Sequence, residues 1–160
     1  MTADQYIQKL MELSEKKLSG LREILKLTEH QSTIITEDSA EQLHEIIDLK
    51  QQQMDMIDEA DQAFEVYYQR LKSLLGVQSL EDIKMADLNG TAELKQIVTT
   101  IYDITKQIQN LESSNNRKVR DILNKLSGEI RQIKQNQMVN NGYNIGAKLP
   151  PQSYYFDRKK

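Results

Sequence analysis

Residues 40–75, AEQLHEIIDLKQQQMDMIDEADQAFEVYYQRLKSLL, place Leu43, Ile47, Lys50, Met54, Ile57, Asp61, Phe64, Tyr68, Leu71 and Leu75 at alternating intervals of four and three. That alternation is the heptad of a helix whose one face lies along another helix. Eight of the ten positions are apolar or aromatic, so the stripe holds over the whole segment. Ser39, with Gln42 three residues on, reads as a capping box at its start, and Gly76 as its C-terminal stop. A helix of this span is about 54 Å long, which predicts an elongated bundle or coiled coil.

Upstream, Ile7, Met11, Ser14, Leu18, Leu21, Leu25 and Thr28 repeat the pattern, while Leu10, Leu13, Ile24 and Leu27 widen it. A helix over about residues 3–32 is expected, with more than one neighbour to cover so broad a stripe. This serves a bundle or a dimer alike, so a homodimer stays open. Residues 77–90 connect the helices, with Ser79 placed to cap a short turn at Leu80-Glu81-Asp82 and Asn89-Gly90 placed to end it.

A third helix, over about 91–138, is read from Leu94, Ile97, Ile101, Ile104, Ile108, Leu111, Asn115, Val119, Ile122, Leu126, Ile130 and Ile133. Two consecutive steps of four meet at Asn115, a stutter that coincides with the polar run Ser113–Asn116. The run is either a bend or register pin, or a polar layer tolerated within a continuous helix, and the second is expected. The fold class is therefore all-α: an elongated antiparallel bundle or coiled coil of three long helices over residues 1–138, followed by a flexible tail over 139–160.

Composition narrows the function. Six glycines and two adjacent prolines, Pro150 and Pro151, are too few turn residues for a sheet of this size. The absence of cysteine excludes disulfides, thiolate metal sites and cysteine nucleophiles. Met1–Lys9 lacks an apolar signal core, and no apolar run approaches the roughly 20 residues that cross a bilayer. Membrane insertion is not expected, and a cytoplasmic location is. Glu41-x-x-His44 is half of a di-iron carboxylate motif, but Leu27 stands where a partner for His30 would need a glutamate. There is no glycine-rich phosphate loop, and Asn89-Gly90-Thr91 reads as a turn. Neither catalysis nor a metal or cofactor is expected.

Net charge is −3, and Arg117-Lys118-Arg120 is too short for a nucleic-acid face, so no nucleic-acid partner is expected. Charge is unevenly spread. Between Glu41 and Glu65 eight acids face one base, whereas between Thr91 and Met138 eight bases face five acids. The contrast favours docking of the two helices, or else marks two separately solvated faces. In the tail, Gly142, Gly146 and the two prolines oppose a helix. Tyr143, Tyr154, Tyr155 and Phe156 lie there in a segment of net charge +3. Rings among bases are the composition of a docking peptide; the alternative is a flexible tail packed loosely on the bundle.

Leu21, Leu25, Glu29, Asp38, Leu43, Ile47, Lys50 and Ile57, with the close Leu71 and Leu74-Leu75-Gly76, resemble the first helix pair of the FlgN-type flagellar export chaperones. Asn141-Gly142-Tyr143 and Ser153-Tyr154-Tyr155-Phe156-Asp157, followed by bases, resemble that family's C-terminus and are the more specific half. Lys50 and Asp61 depart from a regular seam. The resemblance implies a small cytosolic helical protein that binds hook–filament junction subunits as clients and delivers them to the cytoplasmic domain of the type III export gate. It implies client binding in the C-terminal half of the third helix, at Ile122, Leu126, Ile130 and Ile133, beyond the stutter. It also implies gate docking through Tyr143, with Tyr154, Tyr155 and Phe156 as secondary anchors. The competing class is a coiled-coil scaffold or adaptor with a permanent helical partner.

Overall fold

The structure, a computed structural model, describes residues 1–79, 81–82 and 88–141. The chain is all-α, with three long helices: α1 (Ala3–Ile34), α2 (Ala40–Leu75) and α3 (Thr91–Asn141). Among the described residues there is no strand.

Helix α1 opens on a capping box that periodicity alone does not flag. Gln5 N donates to Thr2 Oγ1 at 3.3 Å, and Thr2 N donates to Gln5 Oε1 at 2.8 Å. The box expected at Ser39 does not form. Its backbone, at φ −96° and ψ 7°, is not extended, so Oγ cannot aim forward at the first turn of α2. The hydroxyl turns back instead, accepting from Thr36 N at 2.9 Å and donating to Thr36 O at 2.8 Å. Gly76 does end α2, in the left-handed region at φ 66°.

The helices run up, down, up. Ile7 and Leu10 of α1 meet Leu71 of α2 and Leu94 of α3 at one end. Leu18, Leu21 and Ile24 meet Ile57 and Ile104 in the middle. Leu43, Ile47 and Val119 meet at the far end, with Ile34, Ile35 and Leu123 packed on them. Helix α1 is the backbone against which both others pack most closely. At the first end Tyr6 and Tyr67 lie with ring centroids 6.3 Å apart, closing the junction with apolar bodies and polar tips.

Two partners make the buried arc of each helix wider than a single seam. Ile46 and Ala60 are buried in α2 alongside Leu43, Ile47 and Ile57. Asp61, on the seam by spacing, is exposed and pairs with Lys17 of α1 at 2.8 Å. In α1 the buried set takes in Leu10, Gly20, Ile24 and Gln31, while Met11 and Leu25 are only half-buried.

A polar layer separates the middle and far clusters. Lys50, 7% exposed, donates to Gln31 Oε1 at 3.1 Å and pairs with Glu112 of α3. Beside it Asn115, fully buried, donates from Nδ2 to the Thr28 carbonyl at 3.2 Å. Helix α3 runs through the stutter as one helix, as expected of a tolerated polar layer, but Asn115 is inside the bundle while Ser113 is exposed. The Lys50–Glu112 pair sets a base from the acidic helix against an acid from the basic one. Net helix charge therefore does not dictate this contact.

In the connection, Asp82 N donates to Ser79 Oγ at 3.4 Å and Ser79 Oγ donates to Asp82 Oδ2 at 3.1 Å, the cap expected there. Asn89-Gly90 forms the turn into α3. Gly90 has φ 88°, and a Cβ added to it would lie 2.9 Å from Met11 Sδ and 3.1 Å from Ile7 Cγ2. Both its conformation and its neighbours require glycine.

Candidate functional site

Helix lengths build the site. At about 1.5 Å per residue, the 51 residues of α3 extend about 76 Å, against about 48 Å for α1 and 54 Å for α2. Because α3 starts level with the beginning of α1, the excess emerges past the α1–α2 connection. Val119 and Leu123 are the α3 residues of the far core cluster. Lys118 Nζ donates to the Ser32 carbonyl at 3.2 Å, and Lys125 pairs with Glu37 at 3.0 Å. These contacts fasten one edge of α3 to the end of α1 and to the connection.

Beyond Lys134 the helix stands clear. Residues Gln135 to Asn140 are all exposed, so every side of the helix meets solvent there. Ile133 is 55% exposed and Val139 is 83% exposed. The residues Ile122, Leu126, Ile130 and Ile133 fall at intervals of four, four and three, and so share one stripe of this overhang. Ile122, Leu126 and Ile130 are half-buried, which leaves part of each side chain for a partner. Spacing alone did not single out Leu123 as the member of this region that joins the core, nor Met138 and Val139 as its exposed apolar end. Tyr143, Tyr154, Tyr155 and Phe156 lie outside the described residues.

Basic side chains line the stripe unequally. On one edge are Lys118 and Lys125, with Glu129 one turn from Lys125. The Lys125 ammonium is held above its ordinary pKa, first by its hydrogen bond to Glu37 and then by the charges of Glu37 and Glu129. The opposite edge carries Arg120, Arg131 and Lys134. Such a surface offers no nucleophile or acid–base pair aimed at a cleft; it offers an apolar strip between polar margins, which suits an amphipathic helix. Among the described residues no group of three or more His, Asp or Glu is placed to hold a metal ion, and His44 Nε2 lies 3.4 Å from Asp48 Oδ2. No helix of the described residues is long and apolar enough to cross a membrane.

The chain is thus a three-helix bundle whose last helix outreaches the other two. The family model described as FlgN protein matches residues 1–151, and the chain belongs to that family, the flagellar export chaperones, which is not a family of enzymes. No curated protein and no solved structure matches the chain.

Proposed function

We propose that this chain is a cytoplasmic chaperone of hook–filament junction subunits. It holds an amphipathic terminal helix of the client on the α3 overhang, prevents premature assembly, and delivers the client to the cytoplasmic domain of the export gate. The family supplies the class, flagellar export chaperone. The observation that carries the site is the exposure of Ile133, Met138 and Val139 at the end of the overhang, continuing the stripe of the half-buried Leu126 and Ile130. Fully burying an isoleucine of this kind contributes about 1.5–3 kcal/mol, so a few such residues suffice for a releasable complex. An unpaired amphipathic helix in the client is an aggregation hazard, and covering it needs a complementary strip and no nucleotide. Tyr143, two residues after α3 ends at Asn141, is the side chain assigned to the gate.

The test is size-exclusion chromatography of the purified protein mixed with candidate junction subunits, repeated with the Leu126→Asp/Ile130→Asp variant. The expected result is co-elution with the native chain, loss of co-elution with the variant, and little change in the variant's thermal unfolding. If the variant loses its helical fold, the two residues belong to the core and the site assignment fails. A native complex that never releases its partner supports the scaffold reading instead.

A further inference from the structure

Helix α2 carries a second stripe, on the side turned away from the core. Glu41, Glu45, Leu49, Gln52, Met56 and Glu59 follow at steps of four, four, three, four and three, and all six are exposed. At about 100° per residue they share an arc of about 80°. Leu49 is 46% and Met56 45% exposed, so an apolar patch lies open between carboxylates. Among the described residues Glu41, Glu45 and Glu59 have neither an ion pair nor a side-chain hydrogen bond, whereas Asp48 and Asp55 in the neighbouring row already meet His44 and Gln51. A segment that fits this face is basic and carries large apolar groups.

The chain has such a segment. Residues 142–160 hold Lys148, Arg158, Lys159 and Lys160 against Asp157, with Tyr154, Tyr155 and Phe156 just before the last three bases. The segment starts from Asn141, about 33 Å along α3 from Val119, which packs on Leu43 and Ile47 near the start of α2. Along the bundle axis Leu49 is then about 39 Å from Asn141, Glu59 about 54 Å and Val66 about 65 Å. At about 3.3–3.6 Å per residue, extended chain carries the three rings about 43–54 Å and Lys160 about 63–68 Å. The rings reach Leu49 and the terminal bases reach Glu59, while Val66 lies beyond the rings. We propose that residues 142–160 fold back along α2, seating Tyr154, Tyr155 and Phe156 on the patch at Leu49 beside Glu45, and Arg158, Lys159 and Lys160 against Met56 and Glu59. The inference goes beyond the reading of α3 and uses none of its stripe. Exposed ion pairs contribute little singly, but a tethered segment binds at an effective concentration on the order of millimolar, so weak contacts suffice. The α2 of a second copy is equally acidic and is repelled from this face. Seated there, the rings are covered, and any partner that takes them first displaces them from α2.

The absence of cysteine makes the test clean, because Ser153→Cys in the full chain takes a nitroxide at one place only. Methionine methyl groups labelled with carbon-13 read its position by their loss of signal against the reduced label. At low ionic strength the Met56 methyl is expected to lose most of its intensity, while Met11, which packs at the opposite end of the bundle, keeps its own. About 0.5 M salt, where screening is short-ranged, is expected to restore the Met56 signal. Glu45→Lys/Glu59→Lys is expected to restore it as well, with circular dichroism confirming that the variant remains helical. Loss at Met138 on the overhang with Met56 untouched shows a segment that stays at the end of α3 and overturns the proposal. A Met56 loss unmoved by both salt and the charge reversal overturns the acidic face as its seat. Mixing nitroxide-bearing chains without carbon-13 with labelled chains without nitroxide separates the source: loss at Met56 in that mixture comes from a second copy's tail and also overturns the proposal.

Discussion

The side-chain amide of Asn115 donates to the backbone carbonyl of Thr28 at 3.2 Å, across 87 residues of sequence. Thr28 is itself held in place, its hydroxyl donating to Ile24 O at 2.7 Å. The pair joins α3 to α1 at one axial level. A buried polar side chain at a heptad position costs stability and excludes neighbouring registers, because a shift of one turn leaves the amide against apolar carbon. Since α3 is the helix that overhangs, its register against α1 sets how much of it protrudes.

Asn115→Leu separates these two effects. Asn115 Oδ1 is buried with no hydrogen-bond partner among the described residues, so removing the amide relieves an unmet polar group worth about 1–3 kcal/mol. The variant is expected to unfold at higher urea concentration while its amide resonances multiply or broaden around Thr28 and Val119. A variant destabilised by more than about 1 kcal/mol, with a single set of resonances, shows that the amide stabilises the fold outright.

The Lys50–Glu112 pair makes a different prediction, because Lys50 is 7% exposed and lies between two apolar clusters. Glu112→Ala leaves a buried ammonium with Gln31 as acceptor and is expected to cost about 3–5 kcal/mol. Lys50→Met/Glu112→Leu is expected to return most of that loss. Urea titration of Lys50→Met, Glu112→Leu and the double variant measures the coupling. Additive losses count against an interacting pair. Lys125→Ala is the control: its ion pair with Glu37 is exposed, and melting at neutral pH is expected to stay nearly unchanged.

Two glycines are expected to respond in opposite senses to alanine. Gly90→Ala meets Met11 and Ile7 at a positive φ, and is expected to lower stability by about 1–3 kcal/mol. Gly128 lies within α3 with nothing within 4 Å of an added Cβ, on the side of the helix away from Leu126 and Ile130. Gly128→Ala is expected to raise helicity, by up to about 1 kcal/mol, without altering client binding. Circular dichroism melts of both variants check this, and a stabilised Gly90→Ala contradicts the packing of the α3 entry.

Tyr143→Ala is expected to leave unfolding and client binding unchanged and to weaken binding to the isolated cytoplasmic gate domain about tenfold, as for an interface anchor. Titration calorimetry against that domain measures it. A lowered melting temperature with full gate binding places the ring on the end of α3 and removes it from the docking role.

The three helices were legible in the heptads because period and length are local properties: Leu43 to Leu75 share a face whatever lies opposite. Gly76 and Gly90 were legible for the same reason, since a left-handed turn is a demand of a few consecutive residues. The state of Ser39 was not legible, because capping depends on a backbone angle set by the connection to α1, and Thr36 holds its hydroxyl. Burial was only partly legible. Ile46 and Ala60 joined the core, and Asp61 left it, because α2 faces α1 as well as α3 and a heptad does not count its neighbours. The residues Ile122, Leu126, Ile130 and Ile133 were readable as a stripe, but the half-burial of the first three and the exposure of Ile133 were not: the same spacing serves a buried seam and an open one. What separates them is axial offset. The sequence alone determined that α3 has apolar heptads to its end; only the tertiary structure, through the turn at Gly90, the Thr28–Asn115 level and the shorter reach of α1, decided that the last of them have no helix beside them.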